Sequence, residues 1–266
     1  DPYAAGWVLL KGHRVSAIDV MRITQGKKVM HSVCGIGWGL GGKLAEESEA
    51  LRETFGPARY LVSGIKSFVK LRGCPGTLEM LLPSRQSALP SSLTPCTFGH
   101  TCQVCRQPLA VKACSEQQLR TTADGEESRW ESVEGEFVLI GILKSAKAVC
   151  PNVHLSDGLV DILAVKKEGN HLQLIKASYK HFLSPGNADA AHSEKHFFKF
   201  KASAVKLTPR DPTDKINVDG EVLDGKSIDL RVLPRIFNCF IANGLGKRDT
   251  LTALSATPTP SETYTF

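Results

Sequence analysis

Cys96, Cys102 and Cys105 are separated by gaps of five and two residues, with His100 inside the first gap and Cys114 further on. Thiolates two residues apart can grip one tetrahedral metal ion, and zinc held in this way would order a segment that has no core of its own. The spacing offers no second paired half, so free thiols in a flexible loop and regulatory thiol exchange stand beside zinc as readings. A second constellation is Glu46-Glu47-Ser48-Glu49-Ala50-Leu51-Arg52, followed by Gly56-Pro57-Ala58-Arg59-Tyr60. Arg52 and Arg59 stand two helical turns apart, and a fold at Gly56-Pro57 could bring both guanidiniums onto one anion. The plainer reading is a solvated acidic helix face with Glu49 and Arg52 paired at i,i+3. Asp157-Gly158 and Asp219-Gly220-Glu221 are first of all turns, because Asp caps locally and Gly accepts positive φ.

Gly37, Gly39 and Gly42 form a G-x-G-x-x-G pattern between a strand and a helix. Dinucleotide binding also needs an acidic residue roughly 20 positions on, to take the ribose hydroxyl. That region is Tyr60-Leu61-Val62-Ser63, with no carboxylate. The glycines therefore read as a flexible turn, Gly35 to Gly42, that permits positive φ and close packing. The eight histidines show no H-E-x-x-H spacing and no G-x-S-x-G occurs, so metalloprotease and serine-hydrolase chemistry find no support.

These residues need elements to place them. With 266 residues and 42% hydrophobic content the chain can bury a core, which excludes wholesale disorder. A net charge of +6 suits anionic partners such as phosphates or acidic membrane surfaces. Aromatics are only 7% and no basic run interleaves with them, which argues against nucleic-acid binding. The longest apolar stretches, such as Phe137 to Leu143, fall short of the roughly 20 residues of a membrane span. Asp1-Pro2-Tyr3 lacks the basic region of a signal peptide, and eight scattered cysteines in such a chain favour a reduced, cytoplasmic setting. The missing initiator Met reads as a fragment of something longer.

Helices are expected over Tyr3 to Leu10, Leu44 to Leu51, Ala58 to Leu71 and Leu172 to Phe182. Strands are expected over Val29 to Cys34, Thr77 to Leu82, Glu136 to Leu143, Val160 to Val165, His196 to Phe200, Ala204 to Leu207, Ile216 to Val218 and Ile228 to Val232. Pro83 to Cys114 reads as an irregular insertion, and the tail after Asn243 as unstructured. Short strands with few helices predict an α+β chain built on an antiparallel sandwich or barrel.

Taken in order, the blocks resemble the C-terminal part of the catalytic region of the diacylglycerol, sphingosine and ceramide lipid kinase superfamily. The resemblance covers most of residues 1 to 240. It rests on Ser32-Val33, Glu47-Ser48-Glu49 with Arg52, Gly56-Pro57-Ala58-Arg59-Tyr60, Ser156-Asp157-Gly158 and Val218-Asp219-Gly220-Glu221-Val222-Leu223. Cys96, Cys102, Cys105 and Arg106-Gln107 are similar to the three-cysteine motif of ceramide-kinase-like members, with a first gap of five residues where that group has three. The resemblance implies an antiparallel β-sandwich-like domain over 29–242 with a cysteine-containing insertion at 83–129. Residues 1–28 would end the connection to an N-terminal α/β nucleotide domain, missing here, and 243–266 would be a disordered tail.

It further implies ATP-dependent transfer of the γ-phosphoryl group, with Mg²⁺, to the primary hydroxyl of a membrane lipid, most favourably ceramide. Arg52, Arg59, Asp219, Gly220 and Glu221 would lie at the nucleotide. Sphingosine kinases carry an acidic residue where this chain has Ala45, so Glu46 or Glu47 would face the lipid head group instead. The base Asp of the family's G-G-D-G or S-G-D-G loop is expected upstream of Asp1, which would leave this chain inactive by itself. Partners implied are the lipid substrate and, peripherally, a membrane surface. The alternative is a non-catalytic lipid-binding homologue.

Overall fold

The computed structural model describes residues 15–56, 72–83, 96, 102–106, 129–145, 153–168, 174 and 197–240. The chain divides into a unit of residues 17–237 and a second unit formed by 1–16 and 238–266. The larger unit holds the sheet and its core.

The elements are β1 (Val15–Gln25), β2 (Lys28–Ser32), β3 (Gly35–Gly39), α1 (Leu40–Ala50), α2 (Arg52–Phe55), β4 (Cys74–Leu82), α3 (Gln103–Arg106), β5 (Arg129–Leu143), β6 (Val160–Lys166), β7 (Phe197–Ala202), β8 (Ala204–Pro209), β9 (Lys215–Val218), β10 (Glu221–Asp224) and β11 (Ile228–Phe240). All eleven strands belong to one curled sheet in the order β10-β9-β3-β5-β4-β8-β11-β1-β2, with β6 and β7 branching from β5. The antiparallel, β-rich architecture expected from the sequence is present.

The long β5 explains the curl. Arg129 to Phe137 pair with β4, whereas Leu139 to Leu143 pair with β3 along that same edge and with β6 along the other. A register shift between Phe137 and Leu139 marks a bulge, which bends the strand and turns the sheet back on itself. Inside the curl pack Met21, Ile23, Ile36, Trp38, Leu78, Met80, Phe137, Ile140, Ile162 and Leu207. Trp38 meets Phe137 at 6.0 Å between ring centroids and a tilt of 55°, an arrangement worth about 0.5–1.5 kcal/mol beyond its area.

The glycine block is not a turn. Gly35, Gly37 and Gly39 alternate with Ile36 and Trp38 along β3, so one face of the strand is apolar and the other is bare backbone. Onto that bare face packs α1: a Cβ at Gly37 would lie 3.2 Å from Gly41 Cα. Gly42 goes further, since a Cβ there would stand 1.8 Å from the Lys215 carbonyl oxygen on β9. Gly39 makes the strand-to-helix turn at φ +71°. The G-x-G-x-x-G pattern is thus a helix-on-sheet packing device.

Other boundaries shift for physical reasons. β1 has no counterpart among the expected strands, because it is buried on both faces over Ile18 to Met21 and carries a buried Asp19 that breaks the alternation. α1 begins at Leu40 rather than Leu44, and β11 runs past Val232. The insertion holds one regular turn among its described residues, α3, between Cys102 and Arg106. The helices expected over 3–10 and 58–71 lie outside the described residues, and of 172–182 only the buried Leu174 is described. Gly42→Ala is expected to cost about 3 kcal/mol or more, seen as a lower urea midpoint; an unchanged midpoint would mean that α1 does not lie on β9.

Candidate functional site

The three cysteines converge, and a residue from another segment completes the set. Cys96, Cys102, Cys105 and His154 are all buried, and their ligand atoms lie within 4.8 Å of one another. Cys96 Sγ is 3.8 Å from Cys105 Sγ, and His154 Nδ1 is 3.3 Å from Cys102 Sγ and 3.7 Å from Cys105 Sγ. A tetrahedral zinc with bonds of about 2.3 Å to sulfur and 2.0–2.1 Å to nitrogen has edges of about 3.8 Å between sulfurs and about 3.5 Å from sulfur to nitrogen. These three separations match those edges, and the cysteines are free thiols rather than disulfides. Hydrogen bonding to Cys96, with burial and the neighbouring thiols, holds the Cys105 thiol well above its ordinary pKa, so metal entry must release its proton. A buried Cys₃His cluster of this shape can hold zinc. Spacing alone marks the three thiols; His154 has no local signal, standing 49 residues from Cys105.

Behind His154 runs the Ser156-Asp157-Gly158 turn, and beneath it lies a buried ion network. Lys144 Nζ, just past β5, donates to Asp19 Oδ2 at 2.7 Å, Asp157 Oδ1 at 2.8 Å and the Leu159 carbonyl. Lys201 Nζ reaches Asp161 Oδ2 at 2.7 Å and Asp157 Oδ2 at 3.4 Å. Asp19 also accepts the Gly158 amide at 2.7 Å and the Arg235 amide at 2.9 Å, while its own amide donates to the Leu155 carbonyl at 2.8 Å. Arg235 adds two side-chain bonds, Nε to the Ser156 carbonyl at 3.1 Å and Nη2 to the Cys105 carbonyl at 2.8 Å. Asp157-Gly158 reads as a turn in the sequence and is one; Asp19, Lys144 and Arg235, far apart in the chain, carry no signal there.

Asp219-Gly220-Glu221 forms the tight link between β9 and β10, with Asp219 at φ +50° and the Gly220 amide donating to Asn217 Oδ1 at 2.8 Å. The Asp219 carboxylate faces back to the link between β2 and β3. It accepts Ser32 Oγ at 2.8 Å and the amides of Val33, Cys34 and Gly35 at 2.9, 3.2 and 2.8 Å. Two separated blocks, Ser32-Val33 and Asp219-Gly220-Glu221, therefore meet, and Asp219 serves as the clamp between them. Glu221 is exposed at the start of β10, the edge strand. Glu46 and Glu47 lie on α1, which packs against β9 and β10, and Glu46 Oε1 is 4.0 Å from Lys215 Nζ. Arg52 begins α2, its side chain undescribed, and Arg59 lies outside the described residues.

The ion network sets the pH response. Burial opposes the charge on Asp157, but Lys144 and Lys201 outweigh it and hold its pKa below the ordinary 3.8. Burial pushes Asp19 and Asp161 above that value, against the pull of their lysines. Burial likewise works against the Lys144 ammonium, yet Asp157 and Asp19 keep it charged. Asp157 therefore contributes stability that is complete above about pH 4 and lost as pH falls through its depressed pKa. Asp19 and Asp161 act in the opposite sense, destabilising the neutral-pH fold and relieved on acidification. Lys144→Met leaves carboxylates without their cation and is expected to cost about 3–5 kcal/mol at pH 7. Denaturant titrations should show that deficit narrowing towards pH 4, as the orphaned carboxyls take up protons; a deficit independent of pH would mean the pair is not charged.

Comparison with known proteins places this architecture. Ceramide kinase of Homo sapiens is 30% identical over 165 residues, 57% of this chain and 29% of that protein. Ceramide kinase of Mus musculus is 25% identical over 259 residues, 84% of this chain and 48% of that protein. The chain thus spans less than half the length of these relatives. Two solved structures described as a putative diacylglycerol kinase from Bacillus anthracis str. Sterne share its fold. Each aligns with 91% of this chain and 62% of its own, at TM-score 0.53 and 17% identity. No family model matches. The chain is thus similar in sequence to ceramide kinase over much of its length and shares the fold of the two diacylglycerol-kinase structures.

Proposed function

We propose that this chain is the C-terminal, lipid-side part of an ATP-dependent kinase that phosphorylates the primary hydroxyl of a sphingolipid, with ceramide as the favoured acceptor. The similarity to ceramide kinase across 84% of the chain carries the reading. Phosphoryl transfer needs charge neutralisation around the phosphates and a base for the hydroxyl proton; ATP with Mg²⁺ supplies the transferable group and part of that neutralisation. In this reading Asp219 clamps the β2–β3 link to the β9–β10 turn, and Glu221, with Arg52 and Arg59, serves the nucleotide side. Glu46 and Glu47 on α1 orient the lipid head group. The base is an Asp on an N-terminal nucleotide domain, and the net positive charge helps the protein approach an acidic membrane surface.

The assay compares this chain alone with the chain joined to a nucleotide domain bearing the glycine-aspartate loop, using ATP, Mg²⁺ and ceramide in mixed micelles. Turnover is expected only from the joined protein. Glu221→Gln in that protein should raise KM for ATP about tenfold or more while leaving the melting temperature unchanged, since a lost charged hydrogen bond is worth about 1.5–3 kcal/mol. Robust phosphorylation by this chain alone, or wild-type kinetics for Glu221→Gln, would sink the assignment.

We also infer that Cys96, Cys102, Cys105 and His154 hold one structural zinc, closed on all four sides and therefore without a position for substrate. Elemental analysis should find one zinc per chain. His154→Ala and Cys102→Ser should each lose it, with an affinity drop beyond the roughly 100-fold that outer partners of a metal command. Chelation should lower the melting temperature of the wild type and leave that of either variant in place.

A further inference from the structure

The ligand set comes from two segments that share no secondary structure: Cys102 and Cys105 flank and occupy α3, while His154 opens the turn that carries Ser156, Asp157 and Gly158. Something must fix these backbones relative to one another before a metal can bind both. One guanidinium does so. Arg235 donates Nη2 to the carbonyl of Cys105, itself a ligand, and Nε to the carbonyl of Ser156, two residues beyond the ligand His154. A planar fork with fixed donor directions suits such a strut, because two acceptors in its plane constrain each other.

The backbone of Arg235 makes the same point. Its φ of +54° lies in the left-handed region, which a non-glycine residue enters at a cost of order 1 kcal/mol or more. The position is held there by the amide of Arg235 on Asp19 Oδ1 and by the two side-chain bonds. Charge points the same way. Zn²⁺ with three thiolates and a neutral imidazole carries a net charge of −1, and a buried charge needs a partner. Lys144 and Lys201 are already engaged by Asp19, Asp157 and Asp161, three carboxylates for two ammoniums. Arg235 brings a cation to the backbone of the metal ligands from the side facing that network.

We propose that Arg235 is an outer-shell positioning residue of the Cys₃His metal centre, bracing its two ligand-bearing segments and supplying its counter-charge, so that metal retention is coupled to the buried ion network. The inference rests on the reading of the cluster as a zinc site. It assigns a role to a residue that bonds the ligand-bearing segments through their backbone carbonyls and lies 130 positions from Cys105.

Glycine is the informative replacement, because Arg235→Gly keeps the amide that bonds Asp19 and accepts the positive φ while removing the side chain with its guanidinium. The 266-residue chain and its Arg235→Gly and Arg235→Lys variants are titrated with a chromophoric zinc chelator and melted with zinc and with EDTA. Arg235→Gly is expected to weaken zinc retention about 10–100-fold. Arg235→Lys keeps the charge but not the two-acceptor fork, and should fall between it and the wild type. Linkage requires the melting temperature of Arg235→Gly to drop more in zinc than in EDTA. Equal drops, or wild-type competition curves, would make Arg235 a scaffold residue only and overturn the proposal while the zinc site stands. Should Arg235→Gly fail to fold, wild-type zinc retention by Arg235→Lys overturns it equally. A wild-type chain that takes up no zinc removes the metal reading and this inference together.

Discussion

Lys144 has three ammonium protons, and the fold gives them three acceptors: the carboxylates of Asp19 and Asp157 and the carbonyl of Leu159. Those groups come from β1 and from the turn that feeds β6, so one buried cation ties together segments distant in the chain. Taking it out of water is costly, and the arrangement is tolerable because each partner is bonded again: Asp19 to two further amides, Asp157 to Lys201 and the Leu159 amide. The network therefore acts as a specifier of geometry more than as a source of stability. The turn it fixes is the one that delivers His154 to the cysteines.

A second constraint operates where α1 meets the sheet, backbone against backbone. Alternating glycines strip one face of β3 so that α1 can lie directly on it, with Gly42 against the Lys215 carbonyl of β9. That contact carries the acidic residues of α1 to the edge where β10 and Glu221 stand. The Asp219 carboxylate then closes the same corner by taking a hydroxyl and three amides from the β2–β3 link. By satisfying the donors of a tight link in this way, an acidic residue can shape a site without reacting in it.

Legibility in the sequence depends on how local each signal is. Strands with one buried face, such as β8 and β9, declare themselves by composition and by the turns that bound them. β1 does not, since a strand buried on both faces with an internal Asp lacks the alternation that marks its kind. Glycines at 35, 37 and 39 look like a turn to any local reading, because the reason for them is the helix above, which no window on β3 contains. The same holds for chemistry. Three thiols within ten residues make zinc one of the readings, whereas His154, Asp19, Lys144 and Arg235 are ordinary residues until the sheet folds. What the family resemblance added was order: Ser32-Val33 and Asp219-Gly220-Glu221 are each commonplace, and they are found bonded to one another.

The cysteine insertion shows what the proposed zinc would contribute. Its buried apolar cluster, among the described residues, consists of Cys96, Cys102, Val104 and Cys105, so the thiols are the core as well as the ligands. A cluster of four such side chains offsets little of the ordering entropy of the described residues around it, at about 1–2 kcal/mol per residue fixed. Cross-linking by one ion does what a hydrophobic cluster does elsewhere, provided that the ligand outside the insertion is already in place. His154 is that ligand, and it is in place because Asp19, Lys144 and Arg235 hold its turn. In the proposed zinc-bound form the metal and the ion network would be two halves of one joint: the network positions the His154 side, and the ion would draw the cysteines onto it. Such a joint would seat Cys96 and the turn of α3, which lie outside the strand order, against the segment that leads into β6.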